Sequence, residues 1–196
     1  AIWDQKERSL FAARDRLGIK PFHYWIDGTR ELAFASELKA LLEFLPNRTP
    51  NSTLARQFLA WNLLDHEPGE TMVSGIMRLP PVHALVWRQS EGLKTWRYWE
   101  LHVNDELHVS PEQESRLIRE FRHLFEETVS LYLRSDVPVG TCLSGGLDSS
   151  TIACVVNLEL QRRGLREKPS QHTFSACFQD PRLDERHYIK AVVDAT

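Results

Sequence analysis

The chain has 196 residues, 42% hydrophobic and 26% charged, with a formal net charge of −3. This is the make-up of a soluble globular protein, long enough for one large domain or two small ones. It lacks the basic excess of a nucleic-acid binder and any apolar run approaching a membrane span.

Three cysteines, Cys142, Cys154 and Cys177, are too few and too scattered for a disulfide framework or a zinc pattern. They read as buried free thiols in a reducing cytoplasm, Cys142 and Cys154 in a core and Cys177 in a strand. The N-terminus, Ala1-Ile2-Trp3-Asp4, has no signal-peptide pattern. It starts without Met in a strand-like stretch, and Thr196 falls inside a helical pattern. The expectation is a piece of a longer protein.

In chain order, residues 1–35 are strand-like. Phe22 to Ile26 and Glu31 to Ala35, separated by Asp27-Gly28, form a hairpin signal. Ser36 is placed to cap a helix over 37–44 that closes before Pro46. Asn51-Ser52-Thr53 can cap a second helix, with Leu54, Phe58 and Leu59 on its apolar side. Val82 to Trp87 and Leu93 to Trp99, around the turn Ser90-Glu91-Gly92, predict another strand pair, with Trp87, Trp96 and Trp99 as its core. This β-rich region ends near Glu100.

Residues 102–110 are polar and acidic and read as a linker. Ser110-Pro111-Glu112-Gln113 combines an N-cap, a proline at the first helical position and a capping box. Leu117, Phe121, Leu124, Thr128 and Leu131 then repeat at helical spacing to about Arg134. A strand over 139–143 leads into Ser144-Gly145-Gly146-Leu147-Asp148-Ser149-Ser150, and a helix follows to about Arg163, closed by Gly164. Gln171 to Phe178 is a second strand, and Asp184-Glu185-Arg186 opens a last helix. Strand, helix, strand, helix in this order predicts a parallel α/β sheet.

The turn after residue 143 carries the chemistry. A strand that runs through a Ser/Gly turn into a helix leaves backbone N–H groups without partners, in the positive end of the helix dipole. That is an anion site, and phosphate is its usual occupant. Gly145 and Gly146 let bare backbone approach a ligand, and Ser144, Ser149 and Ser150 add hydroxyl donors. Asp148 fits if a divalent cation bridges it to phosphate. The plainer alternative is a helix start capped by Ser144 or Asp148. The turn is not a Walker A loop, because no Lys or Arg lies between Leu143 and Val156.

The string Ser144-Gly145-Gly146-Leu147-Asp148-Ser149 resembles the pyrophosphate loop of ATP-pyrophosphatase synthetases. Four strings in the first half resemble the later part of a class II glutaminase domain. They are Arg14 to Pro21, Phe34 to Leu41, Arg78-Leu79-Pro80-Pro81 and Arg97-Tyr98-Trp99. Together, in this order, they resemble the glutamine-hydrolysing asparagine synthetase family.

The resemblance implies an α/β protein. Residues 1–101 would be the C-terminal part of an αββα N-terminal-nucleophile hydrolase sandwich. Residues 102–110 would be a linker, and 111–196 the start of a parallel-sheet, Rossmann-like adenine nucleotide hydrolase domain. It implies ATP and Mg²⁺, with glutamine and aspartate as small-molecule substrates. No nucleic acid or membrane is implied, and the oligomeric state stays open, a homodimer among the options.

By position, Ser144, Gly145, Gly146, Asp148 and Ser149 match phosphate and metal contacts, with Asp148 reaching Mg²⁺ through phosphate. Leu143 and Ala176 match adenosine-side positions; for Ala176 plain strand packing is the alternative. Asp15 matches the carboxylate that binds the α-ammonium of glutamine, and a local pairing with Arg14 or Arg16 is the alternative. The nucleophilic N-terminal Cys of that family is not at Ala1. The polypeptide is therefore expected to make no ammonia itself, with the ligase activity assigned to its parent. Relatives that form β-lactams or peptide macrocycles, and a non-catalytic nucleotide-binding fragment, are the competing readings.

Overall fold

The computed structural model describes residues 1–28, 30–64, 66–103, 109–164 and 171–196. The chain divides into two compact units, Ala1–Asn104 and Asp105–Thr196. Among the described residues no helix is long and apolar enough to cross a membrane.

The first unit is mostly antiparallel sheet. Strands β1 (Ile2–Asp4), β2 (Ser9–Ala13), β6 (His83–Arg88) and β7 (Gly92–Arg97) pair in the order β1-β2-β6-β7. Alternation decides their register: Leu10 and Ala12 are buried on one face of β2 while Phe11 between them is exposed. The hairpin expected around Asp27-Gly28 is present as β3 (His23–Asp27) and β4 (Glu31–Ala35), with Trp25 opposite Ala33. A short strand, β5 (Met77–Arg78), adds to the other edge of β3, setting His23 opposite Arg78. A core cluster of Ala12, Tyr24, Leu79 and Leu85, with Phe22, Met77 and Leu93 against it, draws on both sheets. Each fully buried leucine there contributes about 2 kcal/mol of apolar burial.

Local capping explains the first unit's helices in part. Asn51 accepts from the Thr53 and Leu54 N–H groups and starts α1 (Ser52–Trp61), which stops where Asn62 turns left-handed at φ 54°. The helix expected after Ser36 is a 3-10 helix, Leu38–Phe44, entered at Glu37 without a side-chain cap. The tryptophans also depart from expectation in part. Trp96 is 42% exposed, beside Phe11 at 6.2 Å, while Trp87 and Trp99 are half-buried. Trp96 thus lies on the outer face with Phe11, whereas Trp87 sits opposite Leu10 on the buried face with its indole nitrogen enclosed, so the expectation holds for Trp87 and fails for Trp96.

In the second unit, α2 (Pro111–Tyr132) begins with the capping box. Ser110 accepts from the Gln113 N–H, and Gln113 accepts from the Ser110 N–H at 2.8 Å. Strands β8 (Gly140–Cys142) and β9 (His172–Phe174) pair in parallel, as expected for an α/β order. Helix α3 (Leu147–Arg162) leads from β8 and α4 (Arg186–Ala195) closes the chain. Arg162 bridges to Glu126 at 3.0 Å and Arg163 donates to the Ser130 hydroxyl at 2.8 Å, tying α3 to α2.

The cysteines are not buried as expected: Cys142 and Cys177 are exposed, Cys154 is half-buried, all three are free, and Cys177 lies past the end of β9. Cys142 fails as core because strand alternation buries Leu143 instead, at 1% exposure. Most of the expected linker, 104–108, and residues 165–170 lie outside the described residues.

Candidate functional site

Leu143 is where the strand ends and the turn begins. Its N–H donates to the Phe174 carbonyl at 2.9 Å, and its carbonyl accepts from the Ser175 hydroxyl at 2.6 Å. Both backbone groups of Leu143 are therefore held from β9 and the residue after it. The neighbouring Ala176 is exposed just beyond the strand.

The turn is stitched by two serines. The Ser144 N–H donates to the Ser149 hydroxyl oxygen at 3.2 Å, and the two hydroxyls are 3.0 Å apart. Ser149 also donates to the Gly146 carbonyl at 3.3 Å. Gly145 sits at φ +86°, a left-handed conformation that side chains resist. A Cβ there would come within 2.7 Å of the Tyr188 Cβ and 3.3 Å of the Glu185 carbonyl, so the first turn of α4 presses on the loop.

Helix α3 starts from Gly146 with no side-chain cap, so neither Ser144 nor Asp148 plays that part. Its internal ladder begins at Ser150 N–H to Gly146 carbonyl, 3.1 Å. The N–H groups of Leu147, Asp148 and Ser149 precede the ladder in the positive end of the helix dipole. Asp148 is exposed and makes no ion pair among the described residues. The turn thus offers backbone donors, two hydroxyls and one free carboxylate on one surface. That donor set suits a polyanion accompanied by a divalent cation. No group of three or more metal-ligating side chains occurs among the described residues. A cation held mainly by phosphate oxygens and one carboxylate needs none.

Leu143, Ser144, Gly145, Gly146, Asp148 and Ser149 therefore lie in one turn, with Ala176 close behind it. Ser175, Glu185 and Tyr188 shape the same turn and were not singled out by sequence. Nothing local marks Tyr188, because its role depends on how α4 packs.

Asp15 belongs to the first unit. Its carboxylate accepts from the Ile19 N–H at 2.8 Å and the Lys20 N–H at 2.9 Å. These bonds, that to Lys20 first, hold its pKa below the usual carboxylate range. It does not pair with Arg14 or Arg16. Arg14 instead donates to the carbonyls of Gly18, Lys20 and Leu79, and Arg16 lies over the Trp99 ring at 5.5 Å. Tyr98 donates its hydroxyl to the Arg14 carbonyl at 2.7 Å. The Arg97-Tyr98-Trp99 string thus clamps the loop that presents Asp15.

The glutamine amidotransferase domain family matches residues 1–99, and the asparagine synthase family matches residues 120–196. The chain is similar to asparagine synthetase [glutamine-hydrolyzing] 3 of Bacillus subtilis, at 38% identity over 92% of this chain and 28% of that protein. A putative asparagine synthetase [glutamine-hydrolyzing] 2 of Methanocaldococcus jannaschii is 34% identical over 98% of this chain and 36% of its own length. Amidase chyE of Penicillium rubens is 34% identical over 90% of this chain and 26% of its own length. The chain thus spans about a third or less of the length of these relatives. With both family matches in this order, and these relatives across most of its length, the chain belongs to the glutamine-hydrolysing asparagine synthetase family.

Proposed function

We propose that the protein carrying this chain is an ATP-dependent amide-forming ligase of the cytoplasm. It activates the aspartate side-chain carboxylate as an acyl-adenylate and passes it ammonia from glutamine, giving asparagine, AMP, pyrophosphate and glutamate. The observation that carries this reading is the turn from Ser144 to Ser149. Its free backbone donors, paired hydroxyls and lone carboxylate match a nucleotide's pyrophosphate half with its cation.

In this reading, residues 1–101 are part of an αββα hydrolase sandwich. Residues 111–196 begin a Rossmann-like synthetase domain, and 102–110 join them. The N–H groups of Leu147, Asp148 and Ser149, with the Ser144 and Ser149 hydroxyls, grip the β- and γ-phosphates. Asp148 is the carboxylate that would hold Mg²⁺ beside the phosphates, where the cation would supply neutralisation of the charge that develops on pyrophosphate. Leu143 and Ala176 border the adenosine side. Asp15, kept ionised by its two N–H bonds, takes the α-ammonium of glutamine. The first cysteine of the chain is Cys142, so no glutamine-cleaving nucleophile is assigned to residues 1–104.

Calorimetry of the chain with Mg-ATP tests the reading; absence of binding overturns it. A second reading keeps the adenylating chemistry and changes the carboxylate that receives the ammonia. Adenylation by the whole protein with aspartate, set against other carboxylic acids, separates the two.

A further inference from the structure

We infer that Ser175 is a positioning residue for the anion-binding turn, acting by locking a single peptide plane. The inference rests on the proposed anion site and deepens it. The carbonyl of Leu143 and the N–H of Ser144 belong to one planar amide group. The structure holds that plane at both ends with hydroxyls. Ser175 donates to the Leu143 carbonyl oxygen at 2.6 Å, and Ser149 accepts from the Ser144 N–H at 3.2 Å. One hydroxyl comes from the residue after β9 and the other from the first turn of α3, so the lock joins the two elements that flank the turn.

The lock has an electrostatic consequence. If this plane rotates about its flanking bonds, the negative end of the amide dipole swings toward the surface where the turn's N–H groups gather. An anion there would meet a carbonyl oxygen among its donors. Leu143 is held through its own N–H by Phe174 at 2.9 Å and is buried at 1% exposure, so its Cα is fixed and a flip of the next amide would turn on the Leu143 Cα–C and Ser144 N–Cα bonds. Ser175 opposes it from the carbonyl end, so the turn is arranged for an anion before one arrives.

The test compares Ser175→Ala, Ser175→Thr and the unaltered chain. Magnesium pyrophosphate is titrated by calorimetry, and the Ser144 amide is followed by ¹⁵N relaxation-dispersion NMR. The expected result is about tenfold weaker pyrophosphate binding for Ser175→Ala, the effect of losing one ordering hydrogen bond. Its Ser144 amide should show exchange that pyrophosphate suppresses. Ser175→Thr, which keeps the hydroxyl, should bind within about twofold of the unaltered chain. Equal binding by Ser175→Ala overturns the inference and leaves the anion site standing. So does a Ser175→Thr as weak as the alanine variant, because the loss is then one of packing. If the unaltered chain binds no pyrophosphate, the anion site falls and the lock with it.

Discussion

The hydroxyl oxygens of Ser144 and Ser149 are 3.0 Å apart, bridging the turn between β8 and α3. Ser149 serves three partners: the Ser144 hydroxyl, the Ser144 N–H and the Gly146 carbonyl. Ser149→Ala removes all three and one donor from the anion surface. A hydrogen bond to a charged group contributes about 1.5–3 kcal/mol. Pyrophosphate affinity should therefore drop on the order of tenfold to a hundredfold, measured by calorimetry at fixed magnesium. Thermal stability should change little, because these bonds lie at an exposed turn.

Gly145→Ala attacks the same turn through its backbone. At φ +86° a Cβ is strained, which costs about 1–3 kcal/mol. The added carbon would also lie 2.7 Å from the Tyr188 Cβ, so α4 must shift away from the loop. Urea denaturation of the second unit should show a loss of at least this size, together with weaker pyrophosphate binding. Tyr188→Ala in the same chain keeps the Cβ that the added carbon meets, so it should recover none of this loss.

Much of this was legible because it is local. Ser110 and Gln113 sit three residues apart and form the capping box their spacing announces. Asn51 caps α1 by the same logic. Asp27-Gly28 turns the hairpin between β3 and β4. What sequence did not reveal depends on distant partners. The pairing of β5 with β3 brings His23 opposite Arg78. The pressure of Tyr188 on Gly145 needs α4 in place. The apolar repeat of α2 predicted a helix correctly, but spacing says nothing about cover: Phe121 is 70% exposed and Val129 alone on that helix is buried among the described residues. In the candidate site, the turn itself was legible as one contiguous string. Ser175, which fixes its entry, was not, because it reaches the turn only through strand pairing.

Asp15 supplies a pH dependence with a defined sign. Its carboxyl is held below the ordinary value by the Lys20 and Ile19 N–H groups. A depressed folded-state pKa gives stability that is fully present above the unfolded-state value and is lost as pH falls through the folded-state value. The loop at 15–20 should stay ordered down to the normal carboxylate range and loosen only below it. The Ile19 and Lys20 amide resonances, followed through an acid titration, should move together at that pH. In Asp15→Asn, which keeps one acceptor and no charge, the step should disappear.

The pyrophosphate site is tested most simply by one titration: magnesium pyrophosphate into the chain, with and without Asp148→Asn, read by amide chemical shifts and calorimetry. The unaltered chain should bind with shifts centred on residues 144–149, and magnesium should strengthen the binding. In Asp148→Asn the magnesium effect should shrink. Metal-free pyrophosphate should then bind more tightly than to the unaltered chain, because a like charge has been removed. Shifts centred elsewhere, or an Asp148→Asn variant with undiminished magnesium dependence, would contradict the assignment of this turn as a pyrophosphate site.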